Sequence, residues 1–185
     1  MRAFLAIDCD DRLKDNISSL IKRLDRGGGN VRWIKKQGMH LTLKFLGNIT
    51  DLQAQSIDQE LRMLKNSFNP FDLSLRGTGR FPASSRFPKV LWVGVDGNDI
   101  LGSLHREIEQ SLSRQGFPKE KRPFHPHLTL GRVKNNNALE HVLSGLDLTK
   151  DEFFGRMTVD KCTLFKSTLK PSGAEYTVLA EFPFK

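Results

Sequence analysis

The octapeptide HLTLKFLG begins at His40, and HLTLGRVK begins 87 positions later, at His127. Both carry the pattern His-x-Thr. An unperturbed imidazole titrates near neutrality, with a pKa of about 6.5. Two imidazoles facing one substrate can divide acid–base work: one takes a proton from water while the other gives one to a departing oxygen. Threonine hydroxyls and backbone amides can hold the non-bridging oxygens of a phosphate, and nearby cations can offset its charge. This is a toolkit for opening a phosphodiester without a metal. Each positioned proton-transfer group typically contributes about 10²–10⁴-fold. Stabilisation of the crowded five-coordinate phosphorus must supply much of the rest.

Such a pattern works only if the chain presents it correctly. Side chains alternate along a strand, so His40, Thr42 and Lys44 should share one face, with Leu41, Leu43 and Phe45 on the other. His127 and Thr129 should likewise oppose Leu128 and Leu130. The apolar faces belong to a core and the polar faces to a cleft. Lys44 is then a candidate for phosphate contact. Arg132 falls on the leucine face by strict alternation and reaches the cleft only if a bulge or the strand end turns it. His125 shares the parity of His127, but Pro126 intervenes, and shaping the start of the strand is its simpler role. Arg80, Arg86 and Lys89 alternate with Phe81 and Phe87; cations interleaved with aromatics suit base stacking and backbone contact, against the plainer reading of a solvated hinge. A single His-x-Thr on a strand more often marks a structural histidine, and only the duplication reverses that.

The duplication extends beyond the motifs. An offset of 87 carries Phe4–Asp8 onto Leu91–Val95 without a gap, and the helical pattern Leu13, Ile17, Leu20, Ile21, Leu24 onto Ile100, Leu101, Leu104, Ile108, Leu112. Each half reads strand, helix, histidine strand. In the first half a helix capped by Asp51 should run to about Lys65, followed by strands at 71–75 and around 80–81. In the second, a helix capped by Asn137 should span 138–144, with strands at 156–165 and 175–184. Gly27-Gly28-Gly29 suits a helix C-cap and loop and lacks the strand-before, helix-after setting of a phosphate cradle. Residues 82–89 join the halves. Two such units packed about a pseudo-twofold axis would bring the repeated strands together.

Composition sets the surroundings. The chain has 185 residues, 38% of them hydrophobic, with 13 Phe, which suits one folded domain and excludes wholesale disorder. No apolar run approaches the roughly 18 residues of a membrane span, and the opening segment is too short for a signal peptide. The net charge of +8 favours polyanions, nucleic acid first among them. Cys9 and Cys162 form no CxxC and no metal spacing; they read as reduced, buried thiols of a cytoplasmic protein. No metal or other cofactor is expected.

At these residues the chain resembles the two-histidine (2H) phosphoesterases, specifically the RNA 2′,3′-cyclic phosphodiesterase and 2′–5′ RNA ligase (LigT-like) family. The resemblance rests on RAFLAID, VRWIKKQGMHLTLKFLG, VLWVGVDG, GFPKEKRPFHPHLTLGRV and STLKPSGAEYTVLAEF, and covers nearly the whole chain. It implies an α+β, bilobal fold with two antiparallel sheets flanking a V-shaped groove and helices outside, in one domain over residues 1–185. Two intertwined lobes would each carry one motif, at 40–43 and 127–130. It further implies that His40 is the proton donor, that His127 is the proton acceptor, that Thr42 and Thr129 contact phosphate, and that the product is a 2′-phosphomonoester. The residues alone leave the roles of the two histidines interchangeable.

The expected substrate is RNA ending in a 2′,3′-cyclic phosphate, tRNA fragments included, with reverse 2′–5′ ligation as a side activity of a monomer. Two other readings compete. The same site could act on 2′–5′ oligonucleotides or small cyclic nucleotides, which comparative turnover would rank. A non-catalytic RNA-binding module would keep the groove but have no use for two titrating groups.

Overall fold

The computed structural model describes residues 1–25, 30–64, 67–83, 85–135, 137, 139–171 and 173–185; the expected Gly27-Gly28-Gly29 cap lies outside these. The first half contains β1 (Arg2–Asp8), α1 (Asp11–Leu24), β2 (Val31–Trp33), a 3-10 turn (Lys36–Gly38), β3 (His40–Asn48), α2 (Asp51–Met63) and β4 (Phe71–Phe81). The second contains β5 (Val90–Asp96), α3 (Asn98–Arg114), β6 (His127–Val133), α4 (Glu140–Leu148), β7 (Phe153–Val159), β8 (Lys161–Lys170) and β9 (Gly173–Pro183).

Local chemistry explains the helices. Asp10 caps α1 by accepting from the Leu13 amide at 2.7 Å, which satisfies one of the otherwise unpaired N-terminal donors. Thr50, rather than Asp51, caps α2, because the Thr50 and Gln53 side chains reciprocally bond each other's backbone amides. α4 begins at Glu140 with Leu139 at its cap position, so Asn137 does not cap it. The expected strand over 156–165 is two strands broken at Asp160, and the expected pair at 71–75 and 80–81 is one strand. β4 passes through Gly77, whose φ of 70° only glycine adopts easily; a side chain there would also strike the Lys150 carbonyl.

The strands follow one antiparallel path, β7-β4-β5-β6-β3-β1-β8-β9, with β2 also on β6. Its centre is a single residue pair, Leu41 of β3 opposite Leu128 of β6. Outward from that pair the two sides are equivalent: β6-β5-β4-β7 and β3-β1-β8-β9. The two antiparallel sheets expected from the sequence are therefore the two halves of one nine-stranded sheet, joined at that pair. They are also exchanged: β4 ends the first half but pairs with β5, and β8 belongs to the second half but pairs with β1.

The gapless offset of 87 needs correction away from the motifs. Asp8 pairs with His40 and Gly94 with His127, an offset of 86 for β1 and β5. The helices are offset the other way: α1 buries Leu13, Leu20 and Leu24, and α3 buries Leu101, Ile108 and Leu112, an offset of 88. Ile100, expected to match Leu13, is 39% exposed.

One apolar cluster joins both helices to the strands through Leu5, Ile7, Leu41, Leu43, Leu91, Val93, Leu128 and Leu130. Each fully buried Leu, Ile or Val contributes about 1.5–3 kcal/mol. A separate small cluster of Phe4, Ala6 and Phe165, with Tyr176 against it, lies on the opposite face of β1. That face is the groove. Among the described residues no helix is long and apolar enough to cross a membrane.

Candidate active site

The Leu41–Leu128 pair fixes the register of the two motifs. Continued one residue either way, it sets position 40 beside 129 and 42 beside 127. Each histidine thus stands next to the other motif's threonine, and all four side chains share the face opposite the buried leucines. Directly opposite positions in such a ladder have Cβ atoms about 4.5–5.5 Å apart, and diagonal ones about 7–8 Å. On this register His40 and His127 are the diagonal pair.

Their surroundings differ. His40 is half-buried among aromatic rings: Phe4 at 4.7 Å, Tyr176 edge-on at 5.1 Å and Phe165 at 5.9 Å between centroids. Burial, helped by the charge of Lys14, lowers its pKa from 6.5 to about 4, so the ring is neutral at pH 7. Burial also raises the Tyr176 hydroxyl, against the opposing charges of Arg132 and Arg2. His127 touches Phe81 edge-on at 5.1 Å and Trp92 at 6.4 Å. Its Nδ1 lies 2.7 Å from the His125 carbonyl. A carbonyl only accepts, so in the neutral tautomer Nδ1 carries the proton and Nε2 presents its lone pair.

Two matched β-bulges correct the expected placement of the flanking cations. In β3, Ala6 pairs with Thr42 but Leu5 with Lys44, leaving Leu43 extra. In β6, Trp92 pairs with Thr129 but Leu91 with Gly131, leaving Leu130 extra. Leu43 and Leu130 are equivalent in the duplication. An extra residue inverts the side chains that follow it relative to the pleat, in β3 as far as a second shift at Leu46. Lys44 therefore leaves the His40 face. It is 6% exposed, ion-paired to Glu109 of α3 at 2.7 Å and bonded to the Pro118 carbonyl at 2.9 Å. It is a core residue and does not reach the substrate. The same inversion turns Arg132 onto the groove face, exposed and directly across from Arg32 of β2.

The other candidates divide. Phe81 stands at His127. Arg80 pairs with Leu91, on the helix side of the sheet, and reaches Asp147 of α4 at 3.6 Å; it is a correction to the expected interleaved patch. His125 acts on His127 through its carbonyl, while its exposed side chain lines a cavity of about 420 Å³ with Phe81, Trp92 and His127. His105 stacks on Phe124 at 3.9 Å, and His141 is exposed on α4. Cys9 and Cys162 are buried free thiols, each pushed up to about 12 chiefly by that burial. Among the described residues no three His, Cys, Asp or Glu gather so as to hold a metal ion.

Sequence reasoning missed Arg32, Trp92 and the aromatic wall of His40. Trp92 had a signal: with Gly94 it occupies the face of β5 opposite Leu91, Val93 and Val95. Phe165 and Tyr176 had none, since they arrive from strands far along the chain.

The chain belongs to the 2′-5′ RNA ligase superfamily, whose sequence model matches residues 13–170. It is 32% identical to a Methanothermobacter thermautotrophicus protein named RNA 2′,3′-cyclic phosphodiesterase, over 98% of each chain. A protein of the same name from Thermotoga maritima is 34% identical, over all of this chain and 96% of its own. Among solved structures, one from Thermus thermophilus matches with a TM-score of 0.85 at 25% identity, covering 100% of this chain and 98% of that one. Escherichia coli LigT complexed with 3′-AMP matches with a TM-score of 0.80 at 23% identity, covering 99% and 97%. The latter shares the fold.

Proposed function

We propose that this chain hydrolyses RNA 2′,3′-cyclic phosphate ends to 2′-phosphomonoesters, with His40 as proton donor and His127 as proton acceptor. The observation that carries this reading is the Leu41–Leu128 pair, which sets both His-x-Thr faces side by side on one groove. The names of the full-length relatives point to the same substrate.

In this mechanism the tautomer fixed by the His125 carbonyl leaves Nε2 of His127 free to take a proton from the attacking water. The hydroxyls of Thr42 and Thr129 hold the equatorial oxygens. His40 starts neutral. The negative charge of the bound phosphate favours its protonated form, and the ring then gives that proton to O3′ as the P–O3′ bond breaks. Arg132 and Arg32 attract the RNA backbone. The 2′ product follows the family resemblance. With a 5′ hydroxyl in place of water, the same groups in the same roles join it to the cyclic end through a 2′–5′ bond, and cleavage of that bond back to the cyclic end exchanges the two histidines' roles.

Residues 1–185 act as one domain in this reading, because the exchanged strands leave neither half complete. A monomer suffices, since both motifs lie on one chain. Cytoplasmic RNA, tRNA fragments included, is the natural substrate pool for a chain with a charge of +8. The decisive experiment is turnover of an oligonucleotide ending in a 2′,3′-cyclic phosphate, with the product isomer identified. Absence of turnover, or a 3′-phosphate product, overturns the proposal.

A further inference from the structure

The duplication is broken most sharply at one position. Ala6 pairs with Thr42 in β1, and Trp92 pairs with Thr129 in β5. On the His40 side, Phe4 and Phe165, 3% and 7% exposed, close the surface around the ring. On the His127 side the cavity of about 420 Å³ opens instead, and its lining comes from β4, β5, the start of β6 and the turn before β7. In the strand order these elements lie on the far side of β6 from His40.

Trp92 forms the floor of this cavity. Its indole lies over Gly79 of β4, where an added Cβ would come 2.2 Å from the ring. Phe81 meets it at 5.3 Å between centroids, tilted by 35°. Gly94 leaves the neighbouring surface bare. From β6 to β4 is two strand spacings, about 9.6 Å, the scale of one nucleoside. At the far end stand Arg76, held over the Phe153 ring at 5.3 Å, and the exposed Lys150. Flat aromatic surface with cations beyond it suits a base followed by a phosphate. Asp96 and Asp151 also line the cavity.

We infer that this basin holds a second nucleoside, the one whose 5′ oxygen stands where water stands during hydrolysis, stacked on Trp92 and Phe81. The inference rests on the roles proposed above. In-line displacement puts the entering oxygen on the His127 side of phosphorus and O3′ on the His40 side. In ligation the 5′ hydroxyl gives its proton to His127, the O5′–P bond forms, the P–O3′ bond breaks and O3′ takes the proton of His40. The substrate class assigned to the basin is therefore the nucleoside following a 2′–5′ phosphodiester, which a cyclic mononucleotide lacks.

The test compares adenosine 2′,3′-cyclic phosphate with 2′–5′-linked ApA on the full chain, before and after Trp92→Leu and, separately, Gly79→Ala, which lifts the indole without removing it. The ratio of kcat/KM for ApA to that for the cyclic mononucleotide should fall by about ten-fold or more in both variants, within the range of base–aromatic stacking. Equal losses on both substrates, or none, would overturn the inference. Binding gives a second readout. In a Trp33→Phe background Trp92 is the remaining tryptophan, and 2′–5′ ApA should quench its fluorescence more than the cyclic mononucleotide does. If wild type turns over neither substrate, the proposed function fails by itself. Unequal quenching would still support the basin, and equal or absent quenching would sink it.

Discussion

The Lys44 ammonium and the Glu109 carboxylate meet at 2.7 Å, with side chains only 4% and 9% exposed. Glu109 also accepts from the Glu120 amide at 2.8 Å. The pair thus ties the bulge of the first His strand to α3 and to the loop leading into the second. Removing one partner strands a charge in a dry site, which typically costs about 3–5 kcal/mol. Lys44→Met should lower the unfolding free energy from urea titrations by that order, and Lys44→Met with Glu109→Gln should recover much of the loss. A single variant as stable as wild type would refute the buried pairing.

His40→Ala and His127→Ala should each reduce turnover of the cyclic end by about 10²–10⁴-fold while circular dichroism stays native. His125→Ala should cost far less, because its carbonyl rather than its imidazole orients His127. A loss at His125 equal to that at His127 would give the His125 ring a chemical part that this geometry does not require.

His40 should make activity and stability depend on pH in definite directions. Its pKa falls from 6.5 to about 4 on folding, so the unfolded chain binds the extra proton first as pH drops. The stability supplied by the neutral ring is complete above about pH 6.5 and drains away as pH falls through 4. His40→Gln should flatten that part of the profile in denaturant titrations. Bound phosphate favours the protonated ring, so the optimum of kcat should lie at higher pH than the optimum of kcat/KM. Coincident optima would count against phosphate-driven protonation of His40.

Arg132 and Arg32 stand directly across from one another, an arrangement of like charge that costs stability unless an anion lies over it. Arg132→Gln should raise KM for an RNA end several-fold with a smaller change in kcat. It should also make KM less steeply dependent on salt, by roughly one unit of slope for each phosphate no longer neutralised. An unchanged salt slope would place Arg132 away from the RNA.

Much of the site was legible because two short motifs repeat at one spacing and strand alternation held from His40 to Thr42 and from His127 to Thr129. Alternation then failed at Lys44 and at Arg132, which reaches the groove face by a bulge, one of the two routes left open for it. One extra residue in each strand inverts the pleat, and nothing in Leu43 or Leu130 announces it. The elements were legible through their apolar periods, but the small insertions that shift β5 and α3 in opposite directions cancel at the second motif, so a gapless offset looked sufficient. The resemblance implied intertwined lobes, but nothing local told which strands are exchanged, since which edge a strand joins depends on the whole sheet. Arg80 shows the local cost: grouped with Phe81 as a nucleic-acid patch, it lies on the other face of β4, toward Asp147 of α4.

The exchange of strands also sets an order of assembly. His40 belongs to the part of the chain that leaves the ribosome early, yet two of the rings that enclose it, Phe165 and Tyr176, belong to β8 and β9. A nascent chain carrying both histidine motifs still has an unfinished donor pocket, because the earlier-made imidazole is walled in by late-made strands. Synthesis must run past β9 before the groove can process RNA.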